Sequence, residues 1–116
     1  MCKLFIDADP ALWVSATKSL RIEGMVTSVR LENFFWSILE EIAARDRMNL
    51  VQLITKLHCE SIDAGHDLGN FTSFLRVCCG RYLGLQLSGD LTSDKRVPIA
   101  QIDADPVLEL ERRRYN

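Results

Sequence analysis

Met25-Val26-Thr27-Ser28-Val29-Arg30-Leu31 is the stretch on which the fold turns. It is rich in β-branched residues and holds no helix starter before Asn33, so it reads as a strand. Alternation sends Met25, Thr27, Val29 and Leu31 to one side and Val26, Ser28 and Arg30 to the other. Immediately downstream the period changes. From Arg30 to Arg47 the apolar positions Leu31, Phe34, Phe35, Ile38, Leu39, Ile42 and Ala43 recur at three- and four-residue steps, which predicts a helix over about 33–46. Its opposite face carries Ser37, Glu40, Glu41 and Arg45, with Glu41 and Arg45 at i,i+4 spacing. Asn49-Leu50-Val51-Gln52 is a capping-box pattern, opening a second amphipathic helix over about 50–64 that Asp63-Ala64-Gly65 stops. A third helix is expected from Asn70 as N-cap, with a broad apolar face made by Phe74, Leu75, Val77, Cys78, Tyr82 and Leu85.

Upstream of the strand, Ser19-Leu20-Arg21-Ile22 reads as a second strand, joined through Glu23-Gly24, where Gly takes the positive φ of a tight hairpin. Lys3-Leu4-Phe5-Ile6 is expected as a short edge strand, followed by Asp9 as N-cap and Pro10 as the first residue of a short turn through Trp13. Beyond Leu87 the composition shifts to Ser88-Gly89-Asp90, Pro98, scattered charge and a basic ending, Arg112-Arg113-Arg114, which predicts a loosely ordered tail. The division is thus 1–24 as an N-terminal arm, 25–86 as the folded domain and 87–116 as the tail. One motif occurs twice with a single difference: Ile6-Asp7-Ala8-Asp9-Pro10-Ala11-Leu12 and Ile102-Asp103-Ala104-Asp105-Pro106-Val107-Leu108. Either both are Asp-capped, Pro-started turns, or both Asp-Ala-Asp-Pro copies fit a similar partner surface.

The chain has 116 residues with 14 basic and 16 acidic side chains, a net −2, so no global basic field draws nucleic acid or an anionic membrane to it. Any anion site must be local. No run approaches the ~20 apolar residues of a membrane span. Lys3-Leu4-Phe5-Ile6 runs straight into Asp7 and Asp9, unlike a signal peptide, and the expected location is the cytoplasm. Cysteines at 2, 59, 78 and 79 form no metal spacing or disulfide framework, which fits free thiols in a reducing compartment. His58 and His66 lack Cys or carboxylate neighbours at ligand spacing, and adjacent Cys78 and Cys79 inside a helix read as small hydrophobes. No catalytic set, phosphate loop or paired-carboxylate site stands in a convincing context, so neither an enzyme nor a cofactor is expected.

A single strand feeding two amphipathic helices leaves backbone groups unpaired along its edges. The economical solution is a two-fold dimer in which strand 25–31 pairs antiparallel with its copy above a shared helical core. Strand, helix, capped turn and helix in this order resemble the ribbon-helix-helix family of bacterial DNA-binding regulators. Including the third helix, the chain resembles a subgroup of small ribbon-helix-helix domain proteins. The residues that carry the likeness are Thr27-Ser28-Val29-Arg30-Leu31-Glu32, Phe35-Trp36, Leu39, Glu41-Ile42-Ala43-Ala44-Arg45, Leu53-Ile54, Phe74-Leu75-Arg76 and Tyr82-Leu83. The resemblance implies a mainly α fold with a short β-ribbon, a homodimer with one additional C-terminal helix.

It also implies that the ribbon enters the DNA major groove and that Val26, Ser28 and Arg30 meet base edges. Arg pairs bidentately with guanine, Ser donates or accepts, and Val meets a thymine methyl. In the family the start of the second helix rests on a phosphate, a part that falls here to the amides of Leu50, Val51 and Gln52, with Asn49 adding a side-chain contact. Three departures bear on the transfer. Arg47 stands where the family usually has Gly, at a cost on the order of 1 kcal/mol if left-handed, and it supplies a phosphate contact instead. Residues 23–64 carry four basic and seven acidic groups. A strand at 19–22 flanking each side would widen the ribbon beyond a groove about 12 Å across. Two functions stand: an operator-binding regulator of transcription, or a dimeric protein-interaction module of the same fold that does not read DNA.

Overall fold

The computed structural model describes residues 2–115. A short helix α1 (Cys2–Ile6) and a 3-10 turn (Pro10–Trp13) precede β1 (Ser15–Ile22) and β2 (Met25–Glu32). Helices α2 (Asn33–Arg45), α3 (Leu50–Asp63) and α4 (Phe71–Ser88) follow, and α5 (Asp105–Tyr115) closes the chain. No helix among the described residues is long and apolar enough to cross a membrane.

β1 and β2 pair antiparallel within one chain, in register from Ser15↔Glu32 to Ile22↔Met25. The two-residue loop has φ of 50° at Glu23 and 82° at Gly24, the double positive φ that matches the twist of a tight hairpin. The hairpin read from Glu23-Gly24 is therefore present, and its first strand begins at Ser15, four residues before Ser19. β1 occupies one edge of β2, held there by a two-residue loop at small entropic cost, and the expected pairing of strand 25–31 with a copy of itself would use the other edge. The boundary drawn between residues 24 and 25 falls at this turn, so β1 belongs with the domain and not with an arm.

One face of the hairpin is buried by Leu20, Ile22, Val29 and Leu31, which pack on Ile38, Leu39, Ala43, Leu53, Ile54, Leu75 and Cys79. Trp36 is buried beneath β1 and donates from Nε1 to the Ala16 carbonyl at 2.9 Å. Lys18 rides over its ring at 5.5 Å. Trp13, at the end of the 3-10 turn, is 55 % exposed.

Two helix starts depart from expectation. Lys3–Ile6 is helical, because a strand there would have no ladder partner, whereas helical turns let Asp7 N–H donate to the Lys3 carbonyl and Ala8 N–H to that of Phe5. The Asn70 side chain makes no cap bond; a 3-10 turn over Leu68–Asn70 intervenes, and Asp67 Oδ1 accepts from Gly69 N–H at 2.9 Å. α4 ends at Gly89 in the left-handed region, φ 85°. Within α4 Cys79 is fully buried, and burial pushes its thiol up to about 12, in keeping with a small hydrophobe.

The segment after α4 is ordered by contacts that no local pattern announces. Leu91 is buried, and Ile99 and Ile102 pack against the core. Arg45, 4 % exposed at the end of α2, donates to the Val97 carbonyl from Nε (3.1 Å) and Nη2 (2.9 Å) and to the Asp94 carbonyl at 3.2 Å. Its guanidinium lies 5.7 Å from the Tyr82 ring. Next to it, Asp46 Oδ1 accepts from the Ile99 N–H at 2.6 Å. α5 docks through a bidentate pair, Arg81 with Glu111. The prediction of a loosely ordered tail is thereby corrected.

The repeated motif builds local turns: Asp9 Oδ1 accepts from Ala11 N–H ahead of the 3-10 turn, and Asp103 Oδ1 accepts from Asp105 N–H as α5 begins. The partner-surface reading of the two copies finds no support.

Four carboxyls are held below their ordinary values: Glu32 by hydrogen bonds from Arg76, Glu41 by Tyr82 and Lys95, Asp94 by Arg96, and Glu111 by Arg81. Each lowered carboxyl contributes stability that is complete above its unfolded value, 4.5 for Glu and 3.8 for Asp, and that is lost as pH falls through the folded value. The urea midpoint is expected to stay level from about pH 7 to about pH 5 and to decline below about 4.5. A midpoint that rises on acidification from 4.5 to 3 contradicts these pairings.

Candidate nucleic-acid interface

The hairpin has one face on the core and one in water, a consequence of alternation along both strands, although Met25, expected on the core side, is 73 % exposed at the turn. Val26, Ser28 and Arg30 all lie on the exposed face, side by side along β2. The structure thus brings together the three residues expected to meet bases. It also adds what sequence reading missed: Thr17, Ser19 and Arg21 of β1 are exposed on the same face. They sit opposite Arg30, Ser28 and Val26 respectively. The hydroxyls of Ser19 and Ser28 approach to 3.5 Å across the ladder. The signal for β1 was present in the alternation Thr17-Lys18-Ser19-Leu20-Arg21-Ile22, but the run was read as a strand only from Ser19.

This face carries two guanidiniums, Arg21 and Arg30, and one carboxylate, Glu32, at the end of β2. Neither Arg21 nor Arg30 forms an ion pair among the described residues. The nearby acids have other partners: Glu23 accepts from the Cys59 thiol at 3.4 Å, and Glu32 is engaged by Arg76. The Glu23 contact also raises the Cys59 thiol, which disfavours the reactive thiolate.

The second group of expected contacts gathers at the α2–α3 turn. Arg47 adopts φ 57°, the left-handed conformation that the family usually gives to Gly, and its side chain is exposed. Asn49 and Gln52 form the reciprocal capping box, each bond 2.8 Å. This corrects one detail: the Gln52 amide is taken by Asn49 Oδ1 and is not free for a phosphate. The amides of Leu50 and Val51 remain as the open donors at the positive end of a 14-residue helix. Arg47, Asn49, Leu50 and Val51 are therefore adjacent, at one end of α3.

His58 and His66 lie edge-on to Phe71 and Phe74, at ring distances of 5.2 and 5.7 Å.

A family described as "Ribbon-helix-helix domain" matches residues 15–83. The match begins at the first residue of β1 and ends within α4. Among solved structures, an uncharacterized protein from Bordetella pertussis Tohama I is 50 % identical, with a TM-score of 0.86 over 93 % of this chain and 86 % of that chain. No curated protein matches the chain.

Proposed function

As a member of the ribbon-helix-helix domain family, the chain is one we propose to be a homodimeric DNA-binding regulator of transcription, reading its operator with the exposed face of the ribbon. The observation that carries this reading is the outward row Val26, Ser28 and Arg30, with a free guanidinium, on a strand whose other side is anchored in the core. A reader needs a rigid platform, because bidentate Arg–guanine geometry discriminates only when the backbone beneath it does not move. Arg47, Asn49 and the amides of Leu50 and Val51 are proposed to seat a backbone phosphate beside it. Binding is the proposed activity, without a cofactor and without chemistry on the DNA. The ribbon face carries few cations and the chain is net −2, so its salt dependence should be shallow.

The test is selection of duplexes from a randomised pool by the full chain, followed by fluorescence anisotropy on the enriched and scrambled sequences across a salt series. The wild type is expected to prefer the enriched duplex, and Arg30→Ala to lose ~1–3 kcal/mol of that preference. A pool that fails to enrich, with weak sequence-blind binding throughout, overturns the reading and leaves a protein-interaction module of the same fold.

A further inference from the structure

The hairpin leaves one row of backbone groups unspent. In an antiparallel pair, rungs that exchange hydrogen bonds alternate with rungs that do not. Asn33 N–H donates to the Val14 carbonyl at 2.9 Å, one rung beyond Ser15↔Glu32, so the bonded rungs fall on Met25, Thr27, Val29 and Leu31. The N–H and C=O groups of Val26, Ser28, Arg30 and Glu32 therefore point to the other edge of β2, where no strand lies among the described residues. A ribbon shared by two protomers, as the family reading implies, uses that edge. β2 and its copy then form the central pair, and β1 of each protomer flanks it.

We propose that β1 is a phosphate rail: with the shared β2 pair in the major groove, the outward row Thr17, Ser19 and Arg21 of each protomer holds the DNA backbone at the rim of the groove. This rests on the DNA-binding reading above and adds a contact surface that a ribbon of two strands lacks.

Dimensions assign this role. Paired strands stand about 4.7–4.9 Å apart, so the central pair fits a groove about 12 Å wide with its side chains. The two β1 axes stand three spacings apart, about 14 Å, which sets them over the phosphates that line the groove and not over the base edges. The width of a four-stranded sheet is thus what brings β1 to the backbone. The side chains suit that position, since hydroxyls and guanidiniums donate to phosphate oxygens. All three lie exposed at alternate positions, directly opposite Arg30, Ser28 and Val26. Arg21 makes no ion pair among the described residues, and Glu23, the nearest acid in sequence, accepts from Cys59. Leu20 and Ile22 on either side of Arg21 are buried, so truncating the arginine leaves the core intact.

The experiment measures anisotropy of the wild type, Arg21→Ala, Arg21→Lys and Arg30→Ala on the duplex enriched by the wild type and on scrambled duplex, across a salt series. Unfolding curves confirm that each variant is folded, and sedimentation counts the subunits on the duplex. Arg21→Ala is expected to weaken binding to both duplexes by the same factor, about 3- to 30-fold at low salt for two exposed charge contacts per dimer. The slope of log affinity against log salt should become shallower by about 1.8, or about 0.9 for each lost phosphate contact. Arg21→Lys should retain most of the binding and the slope, because a phosphate accepts a point charge as well as a planar fork. Arg30→Ala should instead lose the preference for the enriched duplex.

Four results overturn the proposal. If Arg21→Ala changes neither affinity nor slope while Arg30→Ala loses preference, β1 stands clear of the DNA and the function above survives without it. If Arg21→Ala removes the preference and leaves scrambled binding unchanged, Arg21 meets a base and not a phosphate. If a single subunit occupies the duplex, the open edges of β2 do not pair and β1 is not placed at the rim. If the wild type enriches nothing and binds no duplex, the rail falls together with the function it extends.

Discussion

Trp36→Ala is expected to lower the unfolding free energy by ~3–5 kcal/mol, a large share of the ~5–15 kcal/mol that holds a domain together. The indole is 3 % exposed and fills the space between α2 and β1. Truncation leaves a cavity that the hairpin cannot close without losing its register on Leu31 and Leu39. It also strips the Ala16 carbonyl of a 2.9 Å donor and Lys18 of the ring beneath it. Two readouts separate these effects. Trp36→Phe keeps most of the buried area but not the N–H, and should cost about 1 kcal/mol from the hydrogen bond together with a smaller volume term. Hydrogen exchange in the alanine variant should rise first at β1 amides, since the indole is what fastens that strand to α2. A chemical-denaturation difference below about 1 kcal/mol for Trp36→Ala would show that β1 is held by other means.

The second large effect belongs to Arg45. Its guanidinium is almost wholly buried, so its bonds to the carbonyls of Asp94 and Val97 form away from competing water. Hydrogen bonds to a charged group contribute about 1.5–3 kcal/mol, and Arg45→Ala should lose at least that much. It loses in addition the packing on Tyr82. The loss is expected to be local before it is global. Cleavage by a nonspecific protease should move into residues 89–104 while the hairpin and α2–α4 stay protected. Arg45→Met retains the apolar stem and removes the donors, so it should expose the same segment. Unchanged proteolysis in both variants would mean that Leu91, Ile99 and the Arg81–Glu111 pair suffice to hold the C-terminal region.

These two residues show where sequence reading stops. Trp36 is not among the apolar positions that set the period of its helix, so the period did not report what it packs against. Arg45 fell on the polar face of the same helix, at i,i+4 from Glu41, and read as a solvated surface charge. Its burial is created by a segment some fifty residues later, and nothing in the helical period reports that. The loosely ordered tail was misread for the same reason: Leu91, Ile99 and Ile102 are scattered apolar positions whose burial depends on a surface formed elsewhere.

The sequence alone determined the local elements. Helix α2, the capping box that starts α3, the strand at Met25–Leu31 and the Glu23-Gly24 turn follow from periodicity, side-chain hydrogen bonds and φ preference, which act within a few residues. The outward placement of Val26, Ser28 and Arg30 followed from alternation. Tertiary structure decided the rest: that β1 reaches back to Ser15, so that Thr17 joins the exposed face, and that the C-terminal segment is clamped by Arg45 and Asp46. Pairing and burial depend on which surfaces meet, and that is settled by loop closure and packing across the whole chain, not by the pattern of any one stretch.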